Sequence, residues 1–528
     1  MQNQYIKTQT DNFKKIFISE FSIKKSKIEL SLLKSIKKNK IANKKIVLVG
    51  LFFLSIGLCV GFGRISTYRL LQDEVYELAR ANGNTLHPIS KAYKFKLRDE
   101  IIPAQDFIEL QKKDYQKINI LQDIVNYGMN FYKYTNHPPL NSIIAKFFIC
   151  KKSSIANLRK FGFAAFLFLL FATYFFVSSL RFSTQVKWTS LAILTNMSLI
   201  NSLSHFGKGY SLSFAFMLLA MGFYNKYLVS NKNSSWLISF VLFHLAMLTH
   251  YFTGTLGLIM LGVFHLNYRK SIKSFMKFMI FGLSLVFYIP LFTGQVVDSN
   301  SYFDNHQGIN EILLCVGNLF QMISFNYRQT LDLLIGSLVI FIFYLGLREK
   351  PCQETLILLA CSLIPFLFFL GIDFLMNKHL SMVIRYELFA FVFFGILLAK
   401  VLENQKFIFT LLILSLLILN LTNHSLQKHW GTLNSFTPSI NQAMKLDLNK
   451  LEKRTLFIGN YMYGEDLTFM NHLFSRILNI HPLDEINPKL SKSNTKIQNI
   501  FFASRYIKKE SLKALIKQNK IEKIIFLD

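Results

Sequence analysis

Apolar segments of about 16 to 20 residues recur along most of the chain, separated by polar connections. That length is close to what an α-helix needs to cross a hydrocarbon core of roughly 30 Å. Segments that cross lipid must be helical, because lipid offers an open backbone no hydrogen-bonding partner. The pattern predicts about eleven transmembrane helices, at approximately 46–63, 161–180, 188–203, 210–226, 235–250, 253–267, 276–293, 330–347, 354–372, 386–401 and 406–422.

The connections between the predicted helices predict an orientation. Five short connections are mostly basic: "RFSTQVK", "NKYLVSNKNSS", "NYRKSIKSFMK", "LREKPCQ" and "KVLENQK". Short loops rich in Lys and Arg stay in the cytoplasm, and a cytoplasmic N-terminus puts all five there. The outer side then receives residues 64–160, 294–329 and 373–386 and the tail. Residues 64–160, the first outer segment, are also basic, but long segments cross largely regardless of charge.

The pattern divides the chain into three regions. Residues 1–45 are lysine-rich and polar, and no small-residue cleavage site follows them, so they predict a cytoplasmic tail rather than a signal peptide. Residues 46–425 form the membrane domain. Residues 426–528 alternate short apolar runs such as "RTLFIGN", "NIFFAS" and "KIIFLD" with helical pieces such as "ESLKALIKQN". This alternation predicts a small outer α/β domain.

Composition supports a membrane protein. The chain has 528 residues, of which 52% are hydrophobic, and its mean hydropathy of +0.32 is too high for an ordinary soluble protein of this length. The net charge of +30 raises the alternative of nucleic-acid binding, but the basic residues are scattered between the spans, which disfavours it. The five cysteines have no paired or metal-ligand spacing.

Five polar stretches fall on the predicted outer side: "DEVY" (73–76), "TNHPPLNSIIAKFF" (135–148), "HFGKGYSLSFAF" (205–216), "LTHYFTG" (248–254) and "VIRYELFAF" (383–391). Each alone has an ordinary explanation. Asp73 and Glu74 suit the positive end of a helix dipole, and Arg385 suits a membrane-surface anchor. Polar groups near membrane depth are costly unless they face the protein interior or a cavity. Five polar stretches on one side of the membrane therefore favour a shared site.

In this order the stretches resemble the GT-C superfamily of glycosyltransferases that use lipid-linked sugars. The similar branch is glycosyltransferase family 39-like, with protein O-mannosyltransferases and the lipid A aminoarabinose transferase. The resemblance covers roughly residues 60–402 and rests on "DEVY", "NHPPLNSIIAKFF", "GKGYSLSFAFMLLAMGFY", "LAMLTHYFTG" and "RYELFAFVFFGILLAK". Two positions depart from it. Asn141 follows Leu140, where many members have an aromatic residue, and Glu387 follows the Arg-Tyr pair, which leucine and proline often continue.

The resemblance implies transfer of a sugar from a polyprenyl phosphate to a lipid, glycan or protein hydroxyl on the outer side of the cell membrane. Asp73 would be the general base, with Glu74 in a second role. Arg385 and Lys208 would meet the departing phosphate. The remaining pocket residues would be Tyr76, His137, Tyr210, His250, Tyr251 and Tyr386. No cofactor is expected. Some branches use a divalent metal, but no carboxylates cluster beyond Asp73 and Glu74.

Three other functions stay open on the sequence alone. A transporter or flippase should show Gly- or Pro-broken spans paired between two halves, and no such symmetry is visible. A polysaccharide polymerase or ligase usually has its large loop late in the chain rather than after the first span. A non-catalytic scaffold leaves the five one-sided polar stretches unexplained.

Overall fold

The structure is a computed structural model. It describes residues 47–63, 102–104, 138–149, 154–204, 207–268, 271–288, 352–376, 384–422, 451–459, 495–504 and 509–526, with a few isolated positions that include Ile65, Glu77 and Ala81. The predicted tail at 1–45 and, except for Tyr344, the predicted span at 330–347 lie outside the described residues. Helices dominate this part of the chain.

The helices follow the apolar segments of the sequence. In chain order they are α1 (Val47–Gly63), α2 (Leu140–Ile149), α3 (Ile155–Ser179), α4 (Thr184–Asn196), α5 (Ser198–Ser202), α6 (Tyr210–Ser230), α7 (Asn233–Thr249), α8 (Tyr251–Asn267), α9 (Ile272–Ser284), α10 (Gln353–Met376), α11 (Ile384–Val401), α12 (Lys406–Thr422), α13 (Thr495–Gln498) and α14 (Lys509–Gln518). Short 3-10 turns continue α9 and α11, over Leu285–Tyr288 and Leu402–Asn404.

Fewer helices than predicted are long and apolar enough to cross a membrane. Among the described residues three meet that requirement: Ile155–Ser179, Tyr210–Ser230 and Gln353–Ile372. Six further apolar helical segments are shorter, at 10 to 17 residues. These helices fit a helical membrane protein, but the prediction of eleven full-length spans is wrong for the described part of the chain.

A backbone break accounts for part of this difference. Met197 has an extended backbone, with φ −68° and ψ 112°, and splits the predicted span at 188–203 into α4 and α5. His250 is also extended, with φ −159° and ψ 113°, and separates α7 from α8 at the boundary predicted between the spans at 235–250 and 253–267, so only the break at Met197 contributes to the difference. Neither break lies at glycine or proline, the residues that most clearly mark a helix end in a sequence.

Helix α6 lies at the centre of the bundle. Its apolar stretch is 78% buried, compared with 56% for α3 and 39% for α10. It packs against α3, α7 and α8, and its buried side chains include Tyr210, Phe214 and Tyr224. A helix that is apolar on all sides is expected in such a position. Side chains at the first turn of α6 are therefore central to that end of the bundle.

The short connections that the sequence predicts to be cytoplasmic meet at one end of the bundle, the basic end. The Asn225 Nδ2 atom, near the end of α6, donates a hydrogen bond of 2.7 Å to the carbonyl of Ser179 at the end of α3. Lys277 of α9 donates to the Asn233 side chain at the start of α7. These bonds join the first three connections.

The fourth and fifth connections reach the same end. Gln353 Nε2 donates to the carbonyl of Asn267, at 2.6 Å, which joins the start of α10 to the end of α8. Gln185 Nε2 donates to the carbonyl of Glu403, which joins the start of α4 to the turn after α11. All five connections therefore lie together, as short polar segments do when they share one aqueous side.

Tyr268, at the end of α8, lies among charges from neighbouring connections. Burial and, next, the Glu354 carboxylate raise the pKa of its hydroxyl above the ordinary value, while the Arg181 guanidinium acts to lower it. Charges from the first connection and from the first turn of α10 thus both act on a residue of the third connection, which agrees with the hydrogen bonds at the basic end.

Helix α1 packs closely on the broken pair α4 and α5. The Asn196 Nδ2 atom donates to the carbonyl of Phe53 at 3.0 Å, and Asn201 Nδ2 donates to that of Gly57 at 2.8 Å. A Cβ atom added at Gly57 would lie 2.7 Å from both the Cβ and the carbonyl oxygen of Thr195. Glycine lets the two backbones approach closely, as small residues do at helix contacts in membranes.

Four strands form one sheet in the described residues, in the order β1 (Ile102–Pro103), β3 (Ile500–Ser504), β2 (Thr455–Gly459) and β4 (Lys523–Phe526). The three strands of the tail are parallel, at the segments where the apolar runs predict strands. Strand β1 pairs antiparallel with β3, with Ile102 opposite Phe502. It belongs to the first outer segment, so two regions remote in the sequence share this sheet.

Candidate functional site

A buried carboxylate lies against the first turn of α2, at the end of the bundle where α6 and α8 begin. This end is called the polar end. Glu77 is 3% exposed, and its Oε1 atom accepts hydrogen bonds of 2.7 Å from Asn141 Nδ2 and from Ser142 Oγ. Asn141 and Ser142 lie in the first turn of a helix, where the positive end of the dipole also favours a negative charge.

The sequence around these residues explains why α2 begins there. Pro138 and Pro139 precede the helix, and the Pro139 carbonyl accepts the first helical bond, from Ile143 N at 3.0 Å. Proline fixes its own φ near the helical value and has no N–H to leave unsatisfied, so it suits the start of a helix. The proline pair thus sets the position at which Asn141 and Ser142 meet Glu77.

The loop before α6 contacts the same asparagine. The Asn141 Nδ2 atom also donates to the carbonyl of Gly207, at 3.3 Å. Lys208 follows and is 7% exposed, and its Nζ atom lies 5.8 Å from the centroid of the Tyr210 ring. A cation over an aromatic face is attracted by the negative charge of that face.

The break between α7 and α8 completes the described part of this end. The His250 ring lies 4.8 Å from the Tyr210 ring, measured between centroids. Thr253 accepts a hydrogen bond from Ser213 Oγ, at 2.8 Å, which joins the first turns of α6 and α8. Tyr251 is buried. Lys208, Tyr210, His250 and Tyr251, which the sequence assigns to two separate stretches, therefore meet at one end of the bundle.

The start of α11 lies at the polar end as well. Phe389 stacks on Phe214, with ring centroids 4.8 Å apart. Phe214 is one turn after Tyr210 in α6, and Phe389 is one turn after Arg385 in α11. The backbone of Arg385 and Tyr386 thus lies in the first turn of a helix that contacts α6 through Phe389, one turn from its start.

Four residues that the sequence assigns to the site, Asp73, Glu74, Tyr76 and His137, lie outside the described residues. Glu77, Asn141 and Ser142 contact one another but were not among the predicted site residues. Asn141 did carry a signal in the sequence, because it departs from the pattern of the resembled family. The sequence signal for Glu77 was weaker: it is a third carboxylate close to Asp73 and Glu74, in a chain with few acidic residues.

The chemistry available at the polar end is that of a carboxylate and a lysine. The carboxylate of Glu77 accepts hydrogen bonds from Asn141 and Ser142, and the loop of Lys208 is bonded to Asn141. A carboxylate can accept a proton and a lysine can meet an anion. Within the described ranges, no group of three or more His, Cys, Asp or Glu side chains is placed to hold a metal ion.

No family model matches the chain, and no curated protein matches it. The resemblance to the GT-C superfamily therefore rests on the motifs quoted above.

Proposed function

We propose that the protein is a membrane glycosyltransferase that moves a sugar from a polyprenyl-phosphate donor to an acceptor hydroxyl at the polar end. The observation that carries this proposal is the group formed by Glu77, Asn141, Ser142 and the Lys208 loop, buried together at one end of the bundle. Polar groups in such a position are costly and are usually kept for function. The ordered motifs supply the reaction class.

The proposed topology is multi-pass, with the basic end in the cytoplasm and the polar end on the outer side of the cell membrane. Its support is the meeting of five short, mostly basic connections at one end, because such loops stay in the cytoplasm. A polyprenyl chain would lie between the apolar helices, with its phosphate and sugar at the polar end. The sugar would be added to a glycan, lipid or protein of the cell envelope.

The proposed reaction is a single displacement at the anomeric carbon. The acceptor oxygen forms a bond to that carbon while the bond from the carbon to the phosphate oxygen breaks. The acceptor proton passes to the carboxylate of Asp73, and the bonding electrons leave with the polyprenyl phosphate, which gains one negative charge. Lys208 and Arg385 would meet that charge, the lysine as a point charge and the arginine as a two-pronged donor.

The other predicted residues take supporting roles in this proposal. Glu74 would orient hydroxyl groups of the sugar. The pocket would be shaped by Tyr76, His137, Tyr210, His250, Tyr251 and Tyr386. In a helix that begins at Asp73 and Glu74, whose charges suit its positive end, Asp73 and Glu77 would be one turn apart, since residues four positions apart are neighbours on a helix. The bonds that hold Glu77 would then also hold the segment that bears the general base.

The proposal is tested with membranes that contain the full-length protein and a panel of polyprenyl phosphates carrying labelled hexoses or pentoses. The wild type should transfer label from at least one donor and release polyprenyl phosphate. Asp73→Asn should abolish transfer at normal expression, because an amide cannot accept the proton. Glu403→Gln, which removes a carboxylate at the basic end, should retain activity. Full activity of Asp73→Asn, or no transfer by the wild type from any donor, would overturn the proposal.

A further inference from the structure

Asn141 is the residue that joins three separate parts of the chain at the polar end. Its Nδ2 atom donates to Glu77, which is 64 residues earlier, and to the Gly207 carbonyl, which is 66 residues later. Both acceptors therefore share one amide group. Ser142 also donates to Glu77, at the same distance of 2.7 Å, but no bond from Ser142 to the Gly207 carbonyl accompanies it among the described contacts.

The loop that Asn141 contacts is closely packed on both sides of Lys208. A Cβ atom added at Gly207 would lie 2.4 Å from Leu158 Cγ. One added at Gly209 would lie 3.0 Å from the Thr249 carbonyl oxygen and 3.1 Å from Asn141 Cβ. Two glycines thus allow the backbone to pass between α3, α2 and α7. Lys208, between them, is the one residue of this tripeptide that has a side chain.

The position of the Lys208 backbone therefore depends on Asn141 in two ways. The Asn141 amide donates to the carbonyl of Gly207, immediately before Lys208. The Asn141 Cβ atom limits the approach of Gly209, immediately after Lys208. The amide is itself held by Glu77, because a carboxylate oxygen is a stronger acceptor than a neutral one. Loss of the Asn141 side chain would remove the bond to the Gly207 carbonyl and leave the contacts of Leu158 and Thr249 with the loop.

We infer that Asn141 is a positioning residue, which sets Lys208 against the phosphate of the lipid donor and is itself held by Glu77. The inference rests on the proposed function, since it takes a polyprenyl phosphate as the ligand of Lys208. Asn141 is also where the chain departs from the pattern of the resembled family. An aromatic residue there has no side-chain amide, so it could not form the link between Glu77 and Gly207.

The test uses the full-length protein in lipid nanodiscs and two probes, undecaprenyl phosphate and the corresponding polyprenol, which lacks the phosphate. The wild type should bind the phosphate more tightly than the alcohol. Lys208→Ala should weaken binding of the phosphate about tenfold, the effect expected for the loss of one charged hydrogen bond, and should leave binding of the alcohol unchanged. Asn141→Ala should weaken binding of the phosphate alone by a similar factor.

A double-mutant cycle then separates an effect of Asn141 through Lys208 from a general disturbance of the structure. Because Asn141 acts through Lys208, Asn141→Ala should change phosphate binding less than twofold when Lys208 is already alanine. Ser142→Ala removes the other bond to Glu77 but leaves the bond from Asn141 to the Gly207 carbonyl. Its fold-change in phosphate binding should therefore multiply with that of Lys208→Ala in the double variant. Asn267→Ala, at an exposed asparagine whose Nδ2 bonds to its own helix, should change nothing. Asn141→Gln keeps the amide one methylene farther out and should give an intermediate effect.

Different results overturn different claims. Equal binding of undecaprenyl phosphate and polyprenol by the wild type would overturn the lipid-phosphate donor, and the role of Asn141 with it. Tighter binding of the phosphate, combined with effects of Asn141→Ala and Lys208→Ala that multiply fully, would overturn only the positioning role. If Asn141→Ala does not yield folded protein, the same cycle with Asn141→Gln decides between these outcomes.

Discussion

Replacing Glu77 is expected to destabilise the protein in a graded way, because two buried donors depend on its Oε1 atom. Glutamine keeps a side-chain oxygen for Asn141 Nδ2 and Ser142 Oγ but removes the charge. A hydrogen bond to a charged group contributes about 1.5–3 kcal/mol, and a neutral one about 0.5–1.5 kcal/mol. Burial of a carboxylate is itself costly, and its removal offsets part of the loss. Glu77→Gln should therefore cost about 1–2 kcal/mol.

Glu77→Ala removes both bonds and should cost more, about 3–4 kcal/mol. This cost is at the lower end of what the loss of two hydrogen bonds to a charged group would give. The reason is that Asn141 Nδ2 keeps its bond to the Gly207 carbonyl and the Ser142 hydroxyl can rotate towards a carbonyl in its own helix. The expected order of stability is wild type, then Glu77→Gln, then Glu77→Ala.

The order can be measured as the apparent midpoint of thermal unfolding of the detergent-solubilised protein, at one heating rate, since such unfolding is often irreversible. Glu403→Gln is the matched control. It changes the charge by the same amount, but Glu403 pairs with Lys400 at partly exposed positions, where an ion pair contributes about 0–1 kcal/mol. If Glu77→Ala were no less stable than Glu403→Gln, the structural role given to the Glu77 bonds would be wrong.

Two further predictions concern packing and topology. Gly57→Ala should lower the midpoint of thermal unfolding, because the new Cβ atom would lie 2.7 Å from the carbonyl oxygen of Thr195 and overpacking costs about 1–3 kcal/mol. The control is Gly63→Ala, on the same helix, where a Cβ atom would have nothing within 4 Å and the midpoint should not fall. Equal losses of stability in the two variants would contradict the close contact of α1. A compartment-sensitive reporter fused near Lys270 should report the cytoplasm and one near Asn310 the outer side, and both on one side would refute the proposed orientation.

The positions of most helices follow from the sequence, because a long apolar segment in lipid can satisfy its backbone only as a helix. The lengths do not follow. Met197 interrupts the predicted span at 188–203 although it is neither glycine nor proline, whereas the break at His250 coincides with a predicted boundary. The strands of the tail were also predicted, because short apolar runs between polar residues carry a local signal. Strand β1 was not, since a two-residue strand has almost no pattern of its own.

The apolar and polar pattern of the chain is enough to show that polar stretches recur between apolar helices, and that Lys208, Tyr210, His250 and Tyr251 belong to such stretches. Which side chains meet depends on how the helices pack. Glu77 and Asn141 are 64 residues apart, and no periodicity or spacing records a bond over that separation. Local patterns reflect local backbone geometry and burial, whereas a buried carboxylate is stable only if distant donors reach it. That pairing is a property of the folded chain.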